Sequence, residues 1–212
     1  MNTVIWDWNG TILDDIDLCV DIINRVLSKR SLPVLTKEKY REIFTIPVED
    51  YYVEAGFDFS KESFKVLGKE WMDEYEERKY ECSLHKNVLE TIKALNKLGT
   101  KQCILSAYSQ DKLEQMVEKF QLTEYFDILK GLDHIYADGK FGLGLELMNQ
   151  LDLSKGEALM IGDTTHDFEV AETIGADAIL IAGGHQNKER LFLNGTTVYQ
   201  SISEFYLSNF KS

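Results

Sequence analysis

Short apolar runs alternating with helical stretches are the feature that most limits what this chain can become. Val4-Ile5-Trp6-Asp7 opens the series, and Gln102–Ser106, Phe126–Leu129, Ala158–Asp163 and Ala178–Ile181 continue it. Between them the spacing is helical: Asn87–Leu98 stopped by Gly99, Gln110–Phe120, Gly142–Leu151, and Asp167–Ile174 closed by Gly175. Strands this short and apolar are buried on both faces, and the helices between them serve as crossovers. The pattern predicts an α/β fold: a doubly wound parallel sheet with helices on both sides. Asn187–Leu193 and Ile202–Leu207 read as closing helical segments.

Between Asp14 and Leu84 the texture is different. Strand signals nearly vanish. Asp14 or Asp15 is placed to cap a helix carrying Leu18, Ile22, Ile23, Val26 and Leu27, ended by Ser31-Leu32-Pro33. Lys37–Phe44, Val48–Ala55 and Ser60–Arg78, with Ser60 as its cap, read as three more helices. A helical insertion over 15–84 is therefore expected inside a core made of 1–14 and 85–212. Its hinges fall near Leu13–Asp15 and Ser83–Lys86.

Composition narrows the function classes. With 212 residues, 44% of them hydrophobic, the chain can bury a sizeable core. No apolar run approaches the roughly 18 residues of a membrane span, and Asp7 interrupts the place where a signal peptide would be apolar. Cys19, Cys82 and Cys103 lack metal-type spacing and read as thiols of a cytoplasmic protein. A net charge of −13 with no basic stripe argues against nucleic acid and against acidic membranes.

That charge makes an isolated Lys near a carboxylate cluster informative. In an open parallel sheet, ligands bind beyond the carboxyl ends of the strands. Asp7, Ser106 and Asp163 close three strands, Lys140 follows a fourth, and Asp167 lies four residues past Asp163. Clustered carboxylates repel one another unless a cation sits among them, and an oxygen-only donor set suits Mg²⁺. A hard cation, an ammonium and a hydroxyl together bind a phosphoryl group. The N–H groups of the Asn9-Gly10 turn are expected to add donors. A carboxylate aligned with that group can act as the nucleophile.

Asp7-Trp8-Asn9-Gly10-Thr11, then Ser106, Lys140 and Gly162-Asp163-Thr164-Thr165-His166-Asp167, resembles the haloacid dehalogenase-like superfamily. In order and spacing it is similar to that superfamily's phosphoglycolate phosphatase-like branch. The resemblance implies a Rossmann-like core with an inserted helical cap domain. It implies catalytic roles for Asp7, Asn9 and Lys140. Asp7 would become an aspartyl phosphate. Asn9, Gly10, Ser106 and Lys140 would hold the substrate phosphate. Asp7, the backbone carbonyl of Asn9, Asp163 and Asp167 would bind Mg²⁺, and Thr11 would help orient Asp7. The implied activity is a Mg²⁺-dependent phosphatase acting on a small phosphorylated metabolite, in a monomer or weak homodimer. A phosphotransferase or mutase, and a phosphate-binding regulatory module with impaired catalysis, are the alternatives.

Two departures matter. The family pattern has Asp at position 9, as general acid and base, where this chain has Asn9, and an amide can do neither job. Slow turnover is the expected result, unless His166 or a cap residue supplies the proton, and Asn9→Asp is expected to raise turnover of a poor-leaving-group ester. Phe141 stands where Pro commonly follows the Lys. His166 is expected to be solvated at a helix start, and His185 to lie in a Gly-rich turn at the edge of the site. Trp6 and Trp8 are expected to pack at a sheet edge, and Tyr51, Tyr52 and Tyr75 in the insertion's interior or interface. Arg25 and Arg41 could reach an anionic substrate tail.

Overall fold

The computed structural model describes residues 2–132, 139–192 and 195–210. Strand β1 (Thr3–Trp6) is followed by the two-residue β2 (Leu13–Asp14), which pairs antiparallel with β3 (Ser83–Leu84). β4 (Lys101–Ser109), β5 (Ile128–Leu132), β6 (Ala158–Gly162), β7 (Asp177–Ile181) and β8 (Thr197–Tyr199) join β1 in a parallel sheet ordered β5-β4-β1-β6-β7-β8. The strand order reverses at β1, where successive crossovers wind away to either side. That reversal opens a crevice beyond the carboxyl end of β1.

Each face of the sheet buries its own helices. Ile5, Cys103, Leu105 and Met160 pack with Leu147 and Met148 of α7 (Gly139–Gln150) and with Val170 and Ile174 of α8 (Thr165–Ile174). Val4, Trp6, Ile104 and Ile161 face the opposite way. They join a cluster that includes Ile22 and Ile23 of α1 (Ile16–Ser28), Ile92 of α5 (Val88–Lys97) and Met116 of α6 (Gln110–Lys119). This alternation follows the two-residue period of a strand. Trp6 and Trp8 are fully buried, and β1 is central, so these residues line the middle of the sheet and not its edge.

The helical stretch between β2 and β3 runs through α1, α2 (Lys37–Ile43), α3 (Val48–Glu54) and α4 (Phe64–Arg78). α4 starts later than Ser60, because Ser60 is held in a turn by the Asp58 carboxylate and Ser63 takes the cap position. Tyr51 and Tyr52 are buried among Tyr40, Phe44, Phe57 and Phe64. The closing helices are α9 (Lys188–Leu191) and α10 (Ile202–Phe210), and Leu193 lies outside the described residues. Among the described residues, no helix is long and apolar enough to cross a membrane.

Candidate active site

Asp7 directly follows β1, and its N–H still donates to the Ile161 carbonyl of β6 at 2.9 Å. The strand thus carries its order into the residue that meets the crevice. Asp7 accepts from Lys140 Nζ at 2.6 Å, and the same ammonium donates to Asp167 at 2.7 Å. Lys140, on the first turn of α7, is 3% exposed. Asp7, Asp163 and Asp167 are buried, with oxygens within 4.8 Å of one another. Four of the expected site residues are therefore together.

Local chemistry holds each carboxylate. Asp167 forms a capping box with Thr164 at the start of α8, a sequence-local device. Its Oδ2 accepts from the N–H groups of Asp163 and Thr164 at 3.1 and 3.0 Å, and its Oδ1 faces Lys140. Asp163 accepts from Thr11 Oγ1 at 2.8 Å and from the His185 N–H at 2.5 Å. Thr11 therefore orients Asp163 and not Asp7. A Cβ at Gly184 or Gly10 would fall on the Asp163 side chain, and Gly10 also has φ +76°, so only glycine fits at either place.

Ser106 lies two residues past Ile104, the partner of Trp6 in β4. The β4–β5 register shifts between Leu105 and Ser109, an irregularity that re-aims the strand end. The Ser106 hydroxyl accepts from the Tyr108 N–H at 3.1 Å. Gly10 does not offer a free donor. Its N–H is taken by Leu13 O at 2.9 Å and by Asp15 Oδ1 at 3.0 Å.

Burial pushes the Asp7 carboxyl up, Lys140 pulls it down, and Asp167 and Asp163 raise it further, to about 7 in the metal-free chain. Burial also pulls Lys140 down, yet the charges of Asp167 and Asp7 hold it well above the usual lysine range. Asp167 would be raised by burial, but Lys140 keeps it below the ordinary carboxylate value. One ammonium among three buried carboxylates leaves a deficit of positive charge, and the donors are all oxygen. These residues fit a hard divalent cation.

A second buried set adjoins the first. The Asn9 amide donates to Asp15 Oδ2 at 2.8 Å and to the Tyr75 hydroxyl at 2.6 Å, and Tyr75 itself donates to Asp15 Oδ2 at 2.8 Å. Asp15 is 1% exposed. It makes no helix cap at α1, contrary to the sequence expectation, because its oxygens are turned onto Asn9, Gly10 and Tyr75. His185 Nε2 lies 3.5 Å from Asp15 Oδ1, and its Nδ1 meets the Tyr40 hydroxyl at 2.8 Å. Asp15, Tyr75 and His185 come from the residue ahead of α1, from α4 and from the loop after β7, so their meeting left no motif in the sequence. The one available signal was the Asp14-Asp15 doublet.

Other expectations change with the fold. His166 is buried rather than solvated, with its ring edge-on to Phe141 at 4.9 Å, and burial lowers its pKa. Arg41 reaches no open crevice. It donates to the carbonyls of Gly184 and Gly183 at 2.8 and 2.7 Å, tying α2 to the loop after β7. Arg25 pairs with Asp21 and Glu74.

His185 gives a pH prediction. Burial pulls its pKa down, but the Asp15 carboxylate beside it, with Asp163 and Asp7, more than reverses this, raising it from 6.5 to about 9. A folded pKa above the unfolded one stabilises fully below the unfolded value and is lost as pH rises through the folded value. The melting temperature is therefore expected to fall between pH 6.5 and about 9. His185→Gln should be less stable at pH 6.5 and should flatten that slope, as thermal melts across the range would record.

The family described as haloacid dehalogenase-like hydrolase matches residues 4–181. A pyrophosphatase PpaX from Halalkalibacterium halodurans is 25% identical over 191 residues, covering 85% of this chain and 83% of its own. A haloacid dehalogenase-like family hydrolase from Streptococcus pneumoniae superposes with a TM-score of 0.83 at 16% identity, over 98% of both chains. A predicted phosphatase from Clostridium acetobutylicum gives 0.79 at 21% identity, covering 100% of this chain and 99% of that one.

Proposed function

Since the chain belongs to the haloacid dehalogenase-like hydrolases, we propose that it is a Mg²⁺-dependent phosphatase of a small phosphorylated metabolite, working through a phosphorylated Asp7. The observation that carries this reading is the Lys140 ammonium set between Asp7 and Asp167, with Asp163 beside them, at the point where the sheet order reverses. The pyrophosphatase named above adds support for a small phosphorylated substrate.

Asp7, Asp163 and the Asn9 carbonyl would hold Mg²⁺, with Asp167 behind them anchoring Lys140. When bound, the ion supplies Lewis-acid neutralisation of phosphoryl oxygens. An Asp7 oxygen attacks phosphorus, and the leaving oxygen departs. Lys140 passes from pairing the carboxylate to neutralising the transferred group, and the Ser106 hydroxyl adds a donor from β4. Water then hydrolyses the aspartyl phosphate. Asn9 can neither protonate the leaving oxygen nor deprotonate that water. A good leaving group is consequently favoured over an alkyl ester.

The test is phosphate release from pyrophosphate, phosphoglycolate, sugar phosphates, nucleotides and an aryl phosphate, with Mg²⁺ and with chelator. Release should require Mg²⁺ and should be fastest on pyrophosphate or the aryl ester. Equal rates in chelator would overturn the metal assignment.

A further inference from the structure

We propose that Asp15 is a positioning residue that fixes residue 9 as an amide, so that positions 9 and 15 form one charge-complementary unit. The functional arm of this inference rests on the phosphatase reading above, whereas its structural arm does not.

Asp15 is inside the protein with its acceptors in use. Gly10 N–H donates to Oδ1, and Asn9 Nδ2 and the Tyr75 hydroxyl donate to Oδ2. Asn9 gives its amide protons to the two groups that define its pocket, at 2.8 and 2.6 Å. A carboxylate at position 9 would put an acceptor where that donor now sits. Its oxygen would face Asp15 Oδ2 at hydrogen-bond distance without a proton between them, and Tyr75 could serve only one of the two. Buried like charges at this separation are strongly disfavoured.

This alters the expectation for Asn9→Asp. The new carboxylate would be drawn into a quarrel with Asp15 and would not be free to serve the leaving group. Asp15→Asn alongside it restores complementarity with the polarity reversed. The amide nitrogen at position 15, standing where Oδ2 now is, donates to the carboxylate at position 9, its carbonyl in the place of Oδ1 still accepts from Gly10 N–H, and the Tyr75 hydroxyl is left to donate to the carboxylate at position 9. Asp15 thus decides whether position 9 can hold an acid at all.

The test is a set of melts and rates on the full chain. Asn9→Asp should melt about 5 °C or more below Asn9→Ser, which also removes the amide but adds no charge. Combined with Asp15→Asn, the same two substitutions should differ by about 1 °C or less. Equal melting of Asn9→Asp and Asn9→Ser in the parent overturns the proposal, and this comparison stands even where Asp15→Asn fails to fold. With Mg²⁺ and an alkyl phosphate, the Asn9→Asp/Asp15→Asn pair should exceed Asp15→Asn by about tenfold or more, a gain that Asn9→Asp alone should not reproduce over the parent. A full gain from Asn9→Asp alone overturns the proposal. If no variant releases phosphate in an Asp7-dependent way, the phosphatase reading fails, and the melts still decide the coupling.

Discussion

Asp7→Asn is expected to abolish phosphate release, by about 10⁴-fold or more, as removal of a nucleophile does when other groups still bind the substrate. The fold should survive. In the metal-free chain Asp7 is held up at about 7 by burial and by Asp167 and Asp163, against the pull of Lys140. Above that pH the ionised carboxylate opposes folding, so the amide should melt no lower than the parent in chelator at pH 8. The sign follows from linkage: stability is greatest below the unfolded value of 3.8 and is lost as pH rises through about 7. Mg²⁺ should raise the melting temperature of the parent and do so much less in the variant, since a ligand stabilises only through the state that binds it. Turnover that persists in Asp7→Asn would eliminate the aspartyl-phosphate route.

Lys140→Met should combine a large loss of activity with a large loss of stability. The thioether keeps the buried stem and removes the charge that both Asp7 and Asp167 face. Breaking a buried pair by removing one partner costs about 3–5 kcal/mol, because the remaining charges stay inside. For a chain of this size that corresponds to a fall of about 10 °C in melting temperature. The rate should drop about 10²–10³-fold through loss of charge stabilisation on the transferring phosphoryl group. Adding Asp7→Asn to Lys140→Met should recover part of the stability and none of the activity, as parallel melts and rate measurements would reveal. Recovery of activity in that double variant would overturn Asp7 as the nucleophile.

The two carboxylate sets differ in how they can be read. Asp7 and Asp163 stand at the ends of apolar runs, and strand polarity alone sends such ends to one edge of a parallel sheet, with Asp167 in the first turn of the helix that follows. Asp167 also announces itself by its spacing from Thr164, a bond formed within three residues. Lys140 becomes legible once the acidic ends require a cation. Asp15 gives the opposite case. Its place just ahead of the helical spacing of Leu18, Ile22 and Ile23 suggested a helix cap, and the bonds that claim it come from Tyr75, 60 positions away, and from the loop after β7. His166 misled for the same reason, because a helix start is solvated only if nothing covers it, and here Phe141 does.

By itself, the sequence determined the alternation that makes a doubly wound parallel sheet, the helical stretch that follows its first strand, and the acidic strand ends with their lysine. These follow from periodicity and chain direction, which are local properties. Only the tertiary structure decided the state of Asn9. Helix α4 brings Tyr75 to the turn that carries it, Asp15 closes on the same turn just ahead of α1, and the Asn9 amide is held by a buried charge. Position 9 reads in the sequence as a missing acid. In the folded chain it is one of the donors gathered on a buried carboxylate, with Gly10 N–H and the Tyr75 hydroxyl, because burial makes a charge too costly to leave without partners.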